Sequence, residues 1–152
     1  MKIRKAQPKD ATDIRALIIS AHESNRAEDF DKSGWEAFLR RNEIAALKNR
    51  IRDSNYLMLC CLLEGRIIGV IGIYNNDHVY YLLVDPAYRG KGVASRLWQL
   101  AKQICLSRAE VERFWVRSST LALPVYSSFG FERSGERACS NGFSYVPMEL
   151  RL

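Results

Sequence analysis

The sequence predicts a mixed α/β fold with α+β character, in one domain that spans residues 1–152. Its 152 residues, 47% of them hydrophobic, suffice for one core and are too few for two ordinary domains. Segments with a helical spacing of apolar residues alternate irregularly with segments rich in β-branched and aromatic residues. This order is neither a regular βαβ repeat nor an all-β pattern, and no linker or internal repeat interrupts it.

The first third of the chain predicts one strand and two helical regions. Residues 1–6 form a short strand, and Pro8–Asp10 leads into a helix with an apolar face made of Ile14, Leu17, Ile18 and Ala21. A polar stretch over residues 22–31 follows, which we expect to be a loop. A second helical region then extends from about Trp35 to about Asp53.

The middle of the chain predicts three antiparallel strands and a long helix. Tyr56–Leu63 and Arg66–Tyr74 are joined by two residues, as in a hairpin, and a second turn leads into His78–Val84. A basic loop with two glycines, residues 85–92, then enters a helix over residues 93–104.

The last third predicts a strand at Phe114–Val116, a short helix at Leu121–Ser128, and two final strands at Phe131–Ala138 and Phe143–Leu150. The complete predicted order is β-α-α-β-β-β-α-β-α-β-β. We therefore expect one sheet with helices packed on it.

The net charge of +6 suits a polyanionic partner, which could be nucleic acid, an acidic peptide or a phosphorylated cofactor. A nucleic-acid-binding module would interleave aromatic and basic residues on an exposed face of the sheet. Such interleaving is absent outside Tyr80 and Tyr81, which disfavours nucleic acid as the partner.

The chain shows no signal for a membrane or a metal. The apolar run Tyr56–Leu63 is too short to span a bilayer and the amino terminus lacks a signal peptide, so we expect a cytoplasmic protein. The four cysteines have neither CxxC spacing nor nearby histidines, which predicts reduced core thiols and no metal site: Cys60, Cys61, Cys105 and Cys139.

The basic loop is a candidate anion site. The first N–H groups of a helix have no partner within the helix, and the helix dipole adds partial positive charge there. Gly90 and Gly92 allow an anion to approach the backbone closely, and Arg89 and Lys91 add full charges. The loop matches neither the P-loop pattern nor the dinucleotide-binding pattern GxGxxG. The alternative is a turn with ordinary solvent-exposed charges.

The segment Val84–Ala94 resembles the coenzyme A-binding segment of the GNAT superfamily of N-acetyltransferases, whose pattern is [Q/R]-x-x-G-x-[G/A]. Its three fixed positions are matched by Arg89, Gly92 and Ala94. A second segment, Ser119–Phe131, resembles the stretch N-x-x-A-x-x-x-Y-x-x-x-G-F of the same family. Ser119 replaces the usual asparagine, and a hydroxyl can still form a hydrogen bond at that place.

The resemblance implies the GNAT acyl-CoA N-acyltransferase fold, a mixed and largely antiparallel sheet flanked by helices. It also implies acetyl-coenzyme A as cosubstrate and direct transfer of the acetyl group to a primary amine in a ternary complex. The backbone of two strand residues would pair with the pantetheine arm. The residues that would bind the cofactor are Leu83, Val84, Arg89, Gly90, Lys91, Gly92, Val93, Ala94, Ser95, Ser119 and Tyr126.

The resemblance also suggests how protons move. Tyr126 would act as general acid toward the departing thiolate. Two residues at the start of the predicted strand His78–Val84 are candidate general bases: His78 and Asp77. The acidic residues of the polar stretch either receive a cationic amine or form a solvated loop; they are Glu23, Glu28, Asp29 and Asp31.

The sequence leaves several alternatives open. We expect the acceptor to be the amine of a small molecule or of a peptide. In the second case the amine is the amino terminus or a lysine side chain of a protein. A non-catalytic coenzyme A-binding module is a further alternative, although Tyr126 favours catalysis. The last strands are a candidate interface for a homodimer.

Overall fold

An eight-stranded sheet forms the centre of the protein, which a computed structural model describes over residues 1–152. Its strands are β1 (Lys2–Lys5), β2 (Tyr56–Leu63), β3 (Arg66–Tyr74), β4 (His78–Val84), β5 (Arg113–Ser118), β6 (Glu132–Arg133), β7 (Ala138–Ser140) and β8 (Phe143–Arg151). They lie in the order β1-β2-β3-β4-β5-β8-β6, and β7 pairs with β8. Every pairing is antiparallel except that of β4 with β5, so the predicted mixed, largely antiparallel sheet is confirmed.

Six α-helices flank the sheet: α1 (Ala11–His22), α2 (Arg26–Asp29), α3 (Lys32–Arg41), α4 (Ile44–Arg52), α5 (Val93–Arg108) and α6 (Leu123–Ser128). Successive side chains of a strand point to opposite faces, and both faces of β2 are covered. Leu57 and Leu59 pack with α5, β5 and β8, whereas Met58 and Cys60 pack with α1 and α4. Because β2 is buried on both faces, it reads as a continuous apolar run. No helix has the length and apolar character that a membrane span requires.

The predicted second helical region is in fact two helices, α3 and α4, interrupted at Asn42. This residue is buried, and its side-chain nitrogen donates to the Phe38 carbonyl at 2.9 Å. Its side-chain oxygen accepts hydrogen bonds from the Tyr81 hydroxyl and from Arg50. An asparagine side chain that competes for backbone groups ends a helix, and the tertiary partner that holds it here is not visible in the local sequence.

The predicted strand Phe131–Ala138 is also divided, into β6 and β7. β6 ends where its partner β8 reaches Pro147, whose nitrogen has no hydrogen to donate to the ladder. The carbonyl of Pro147 still accepts from the Ser134 N–H at 2.9 Å. The short β6 and β7 therefore form one edge of the sheet, while β8 is paired on both sides. A homodimer through these strands stays a prediction.

The polar stretch before α3 is more ordered than a loop, because it contains α2 and the buried residues Asn25, Asp29 and Phe30. The start of α3 packs directly on the turn between β7 and β8. A Cβ atom at Gly34 would overlap the backbone of Gly142, so only glycine permits this approach. α3 and the β7–β8 hairpin thus form one continuous wall.

Three of the four cysteines are buried, as the sequence predicts for core thiols: Cys60, Cys61 and Cys105. The prediction is wrong for Cys139, which is exposed on β7. This short strand lies at the edge of the sheet.

The feature that creates the site is the separation of β4 from β5. These parallel strands pair only at His78 with Trp115 and at Val79 with Val116. At the same place the register of β4 against β3 shifts, so that Val79 and Tyr81 face the adjacent residues Ile73 and Gly72. A bulge of this kind bends the strand that carries the extra residue. β4 therefore leaves β5 after Val79.

Candidate functional site

Two cavities meet at the gap between β4 and β5. The loop cavity, about 460 Å³, lies between the end of β4, the loop before α5, and α6. The aromatic cavity, about 320 Å³, lies between β4, β5, α3 and the β7–β8 hairpin. Both volumes are in the range of small-ligand sites. Five residues line both cavities and so mark the passage between them: His22, Leu82, Leu83, Ser119 and Ala122.

Most of the residues that the sequence analysis predicts to bind the cofactor line the loop cavity. Nine of the eleven predicted residues line it: Leu83, Val84, Arg89, Gly90, Gly92, Val93, Ala94, Ser95 and Ser119. Lys91 does not, and its ammonium group lies 5.5 Å from the ring centre of Tyr88. Tyr126 lines the aromatic cavity instead.

The loop before α5 leaves the start of this helix open. Gly90 and Gly92 have φ angles of 74° and 81°, and no atom lies within 4 Å of the position that a Cβ would take at either residue. Gly92 is the N-cap residue of α5, so no side chain caps the helix. The first N–H groups of a 16-residue helix thus face open space beside Arg89, which is a suitable place for a phosphate.

Two further features of the loop cavity fit an extended polar ligand. From Tyr80 to Val84, the side of β4 that faces β5 has no strand partner. An extended chain can form hydrogen bonds with such an edge as an added strand does. In addition, the side-chain oxygen of Asn25, which lines the cavity, is buried and has no hydrogen-bond partner. A donor on a ligand would satisfy that oxygen.

Tyr126 lies on α6 with its ring packed edge-on against Phe129 and Phe131. Only 4% of the residue is exposed, and burial raises the pKa of its hydroxyl. The hydroxyl forms no hydrogen bond within the chain, and Tyr126 lines the aromatic cavity near the passage residue Ala122. Its phenol therefore keeps its proton at neutral pH, and no group of the chain competes for its O–H.

His22, the last residue of α1, lines both cavities. Its Nδ1 lies 2.7 Å from the Ile18 carbonyl, so Nδ1 carries the proton and Nε2 is left as an acceptor. Burial lowers its pKa, and Arg89 lowers it further, against opposing effects of the Ile18 carbonyl and of Asp29. The sequence analysis missed this residue, because a histidine at the end of a helix carries no local sign of what packs around it.

The two predicted bases lie in different settings. His78 lines the aromatic cavity and stacks on Trp115, with ring centres 3.7 Å apart. Burial and, to a smaller extent, Arg117 lower its pKa to about 4. Asp77 lines neither cavity, and its backbone carbonyl accepts from the Trp115 N–H at 3.0 Å.

The acidic residues of the polar stretch do not line either cavity, so this structure does not support the expectation that they receive a cationic amine. The buried carboxylate of Asp29 accepts from the Thr120 hydroxyl at 2.6 Å and lies 3.7 Å from Arg137. Asp31 caps α3 by accepting from the Gly34 N–H at 2.6 Å. Glu23 and Glu28 are exposed. Asp29 instead fixes the segment that carries Ser119.

Comparison with known proteins identifies the family and the same fold. The family model described as "Acetyltransferase (GNAT) domain" matches residues 26–152. The spermidine N(1)-acetyltransferase of Escherichia coli (strain K12) is 20% identical over 140 residues, which cover 87% of this chain and 74% of that protein.

Two solved structures resemble the whole chain. The PaiA N-acetyltransferase from Thermoplasma acidophilum, in complex with coenzyme A, has a TM-score of 0.85 and 19% identity, covering 99% of this chain and 98% of that one. A GCN5-related N-acetyltransferase from Rhodopseudomonas palustris has a TM-score of 0.84 and 23% identity, covering 99% and 95%.

The setting of His78 predicts a pH-dependent contribution to stability. In the unfolded chain a histidine has a pKa of about 6.5, whereas in the fold the pKa is about 4. Between these values only the unfolded state binds the proton, so the free energy of unfolding falls as the pH drops through this window. His78→Gln should remove this component in urea titrations from about pH 7 to about pH 4. Parallel curves for both proteins would contradict the prediction.

Proposed function

Because the chain belongs to the GNAT acetyltransferase family, we propose that this acyltransferase moves the acetyl group of acetyl-coenzyme A to a primary amine, by direct transfer in a ternary complex. The observation that carries the proposal is the meeting of the two cavities at the gap between β4 and β5. A donor in the loop cavity and an acceptor in the aromatic cavity would meet there. Holding two reactants together in this way removes much of the entropic barrier to their reaction.

The loop cavity would hold acetyl-coenzyme A, which supplies the acetyl group as a thioester. The open start of α5, with Gly90, Gly92 and Arg89, would bind the pyrophosphate. The free edge of β4 at Leu83 and Val84 would pair with the pantetheine arm. Among the remaining predicted residues, Lys91 would contribute charge from the loop's surface and Ser119 a hydroxyl at the passage.

We assign the role of general acid to Tyr126. Its hydroxyl has no competing partner within the chain, and the residue lines the aromatic cavity near Ala122, so the O–H group can donate a hydrogen bond or its proton to a thiolate that forms there. For the base we favour His22, because its free Nε2 belongs to a residue that lines both cavities. His78 and Asp77 stay predictions; His78 lines only the aromatic cavity, and Asp77 lines neither cavity.

A small-molecule acceptor fits the aromatic cavity of about 320 Å³ and is our first choice. A protein amine would have to thread an amino terminus or a lysine into the same space. A coenzyme A-binding module without catalysis would have no use for an unpartnered phenol in the wall of the aromatic cavity, so Tyr126 supports an active enzyme.

The cofactor assignment is tested by Gly92→Glu. In the native protein, acetyl-coenzyme A should raise the melting temperature and, with a panel of amines, release free thiol. The new carboxylate would occupy the anion site, and we expect loss of both effects. Gly65→Glu is the matched control, because Gly65 also has a positive φ and open surroundings but lines neither cavity. Undiminished stabilisation of Gly92→Glu by the cofactor would overturn the assignment.

The general acid is tested by Tyr126→Phe, which removes one oxygen and keeps the ring contacts with Phe129 and Phe131. A general acid typically contributes 10²-fold or more to the rate, so kcat should fall by about that factor. Cofactor affinity, measured by the same thermal-shift titration, should stay unchanged. An unaltered kcat would exclude Tyr126 from the mechanism.

The general base is tested by the pH dependence of His22→Gln. In the native enzyme, kcat/KM should fall as the pH drops through the His22 pKa, which burial holds below the usual value of about 6.5. His22→Gln should lower kcat by about 10²-fold and remove that limb of the profile. His78→Gln is the comparison, and we expect its profile to keep the limb. If His78→Gln alone removes the limb, the base is His78.

A further inference from the structure

We propose that the accepted amine also carries a carboxylate and an apolar, preferably aromatic, group, as an aromatic amino acid does. The proposal deepens the proposed function and rests on it, because it takes the aromatic cavity as the acceptor site. It concerns only what this cavity recognises beyond the amine itself.

The walls of the aromatic cavity select an apolar body. Five of its rings come from separate parts of the chain and are not involved in proton transfer: Phe30, Phe38, Tyr80, Phe143 and Tyr145. Phe30 lies 5.0 Å from Phe38 and 4.9 Å from Phe143 between ring centres, and Phe143 lies 5.7 Å from Tyr145, so these four rings form one continuous wall. A flat apolar group can pack on such a surface.

Two arginines supply positive charge to the same cavity. Arg41 is the last residue of α3, and Arg117 lies on β5; both line the aromatic cavity. No carboxylate lies within 4 Å of either guanidinium, since the ion pairs of the protein involve other arginines. Each instead lies over a ring, Arg117 at 5.0 Å from the centre of Tyr145 and Arg41 at 6.0 Å from that of Phe38. Their donors remain available to a ligand.

The cavity contains no carboxylate to balance these charges, because no Asp or Glu lines it. Asp29 and Asp31, which flank the lining residue Phe30, are engaged with Thr120, Arg137 and the start of α3. A ligand with several ammonium groups would therefore meet two like charges and no counter-charge, in a protein of net charge +6. A carboxylate on the acceptor would pair with a guanidinium, whose planar fork matches its geometry.

The experiment compares matched acceptors on the complete chain with acetyl-coenzyme A. Phenylalanine and phenethylamine share the amine and the ring, and only phenylalanine has a carboxylate. Two further pairs differ in the same way: tryptophan with tryptamine, and leucine with isoamylamine. Spermidine is included as a polycation. Thiol release should show a kcat/KM about tenfold to a hundredfold higher for the carboxylate-bearing member of a pair, as expected of a charge-assisted hydrogen bond.

The arginines are tested by Arg117→Gln and Arg41→Gln. At least one variant should lower kcat/KM for the amino acid about tenfold, mainly through KM, and leave the decarboxylated amine unchanged. Arg40→Gln is the matched control. Arg40 and Arg41 are both exposed at the end of α3, the substitution removes the same charge, and Arg40 does not line the cavity. Equal loss in this control would show a general charge effect and overturn the assignment.

Other outcomes separate this proposal from the proposed function. A preference for spermidine or for the decarboxylated amines would overturn the acceptor class, while acetyl transfer itself would stand. If acetyl-coenzyme A binds but no amine releases thiol, the proposal of acetyl transfer is wrong. In that case the affinities of the same pairs of amines for the protein–coenzyme A complex are compared. If the carboxylate-bearing members bind more tightly and Arg117→Gln or Arg41→Gln abolishes that difference, the proposed recognition of a carboxylate is still supported. Equal binding of both members of each pair would overturn it.

Discussion

The separation of β4 from β5 is the constraint on which the site depends. A sheet continues as long as neighbouring strands can pair, and here the bulge at Tyr80 bends β4 away after two paired positions. The separation leaves a free strand edge, opens the two cavities, and brings the ends of α1 and β5 to the passage between them. Without it, β4 and β5 would close into an ordinary parallel pair with no space for two ligands.

Burial sets the protonation of both groups that we assign to proton transfer. The same physical effect, loss of water, raises the pKa of Tyr126 and lowers that of His22, because in each case the charged form is disfavoured. The phenol thus holds its proton and the imidazole keeps a free lone pair. An acid and a base can coexist at neutral pH in one small site without any strong ion pair between them.

The electrostatic character of the aromatic cavity depends on which groups the nearby carboxylates contact. Asp29 connects α2 to Thr120 and to Arg137, and Asp31 begins α3, so both stabilise the wall instead of facing the cavity. Arg41 and Arg117 are left without acidic partners at the aromatic cavity. The GNAT fold itself does not decide the acceptor, because this balance of charges is a property of individual side chains on it.

The sequence by itself determined the elements whose signals are local. The bounds predicted for β2, β3 and β4 agree with the structure, and the glycine-rich basic loop and Tyr126 were recognisable from short motifs. Only the tertiary structure decided the break at Asn42, the division of the strand before Pro147, the engagement of Asp29 and the place of His22. Each depends on partners distant in the chain, such as Tyr81 for Asn42 or Thr120 for Asp29. Periodicity and turn chemistry describe neighbours along the chain, whereas contacts across a fold arise only when its layers pack together.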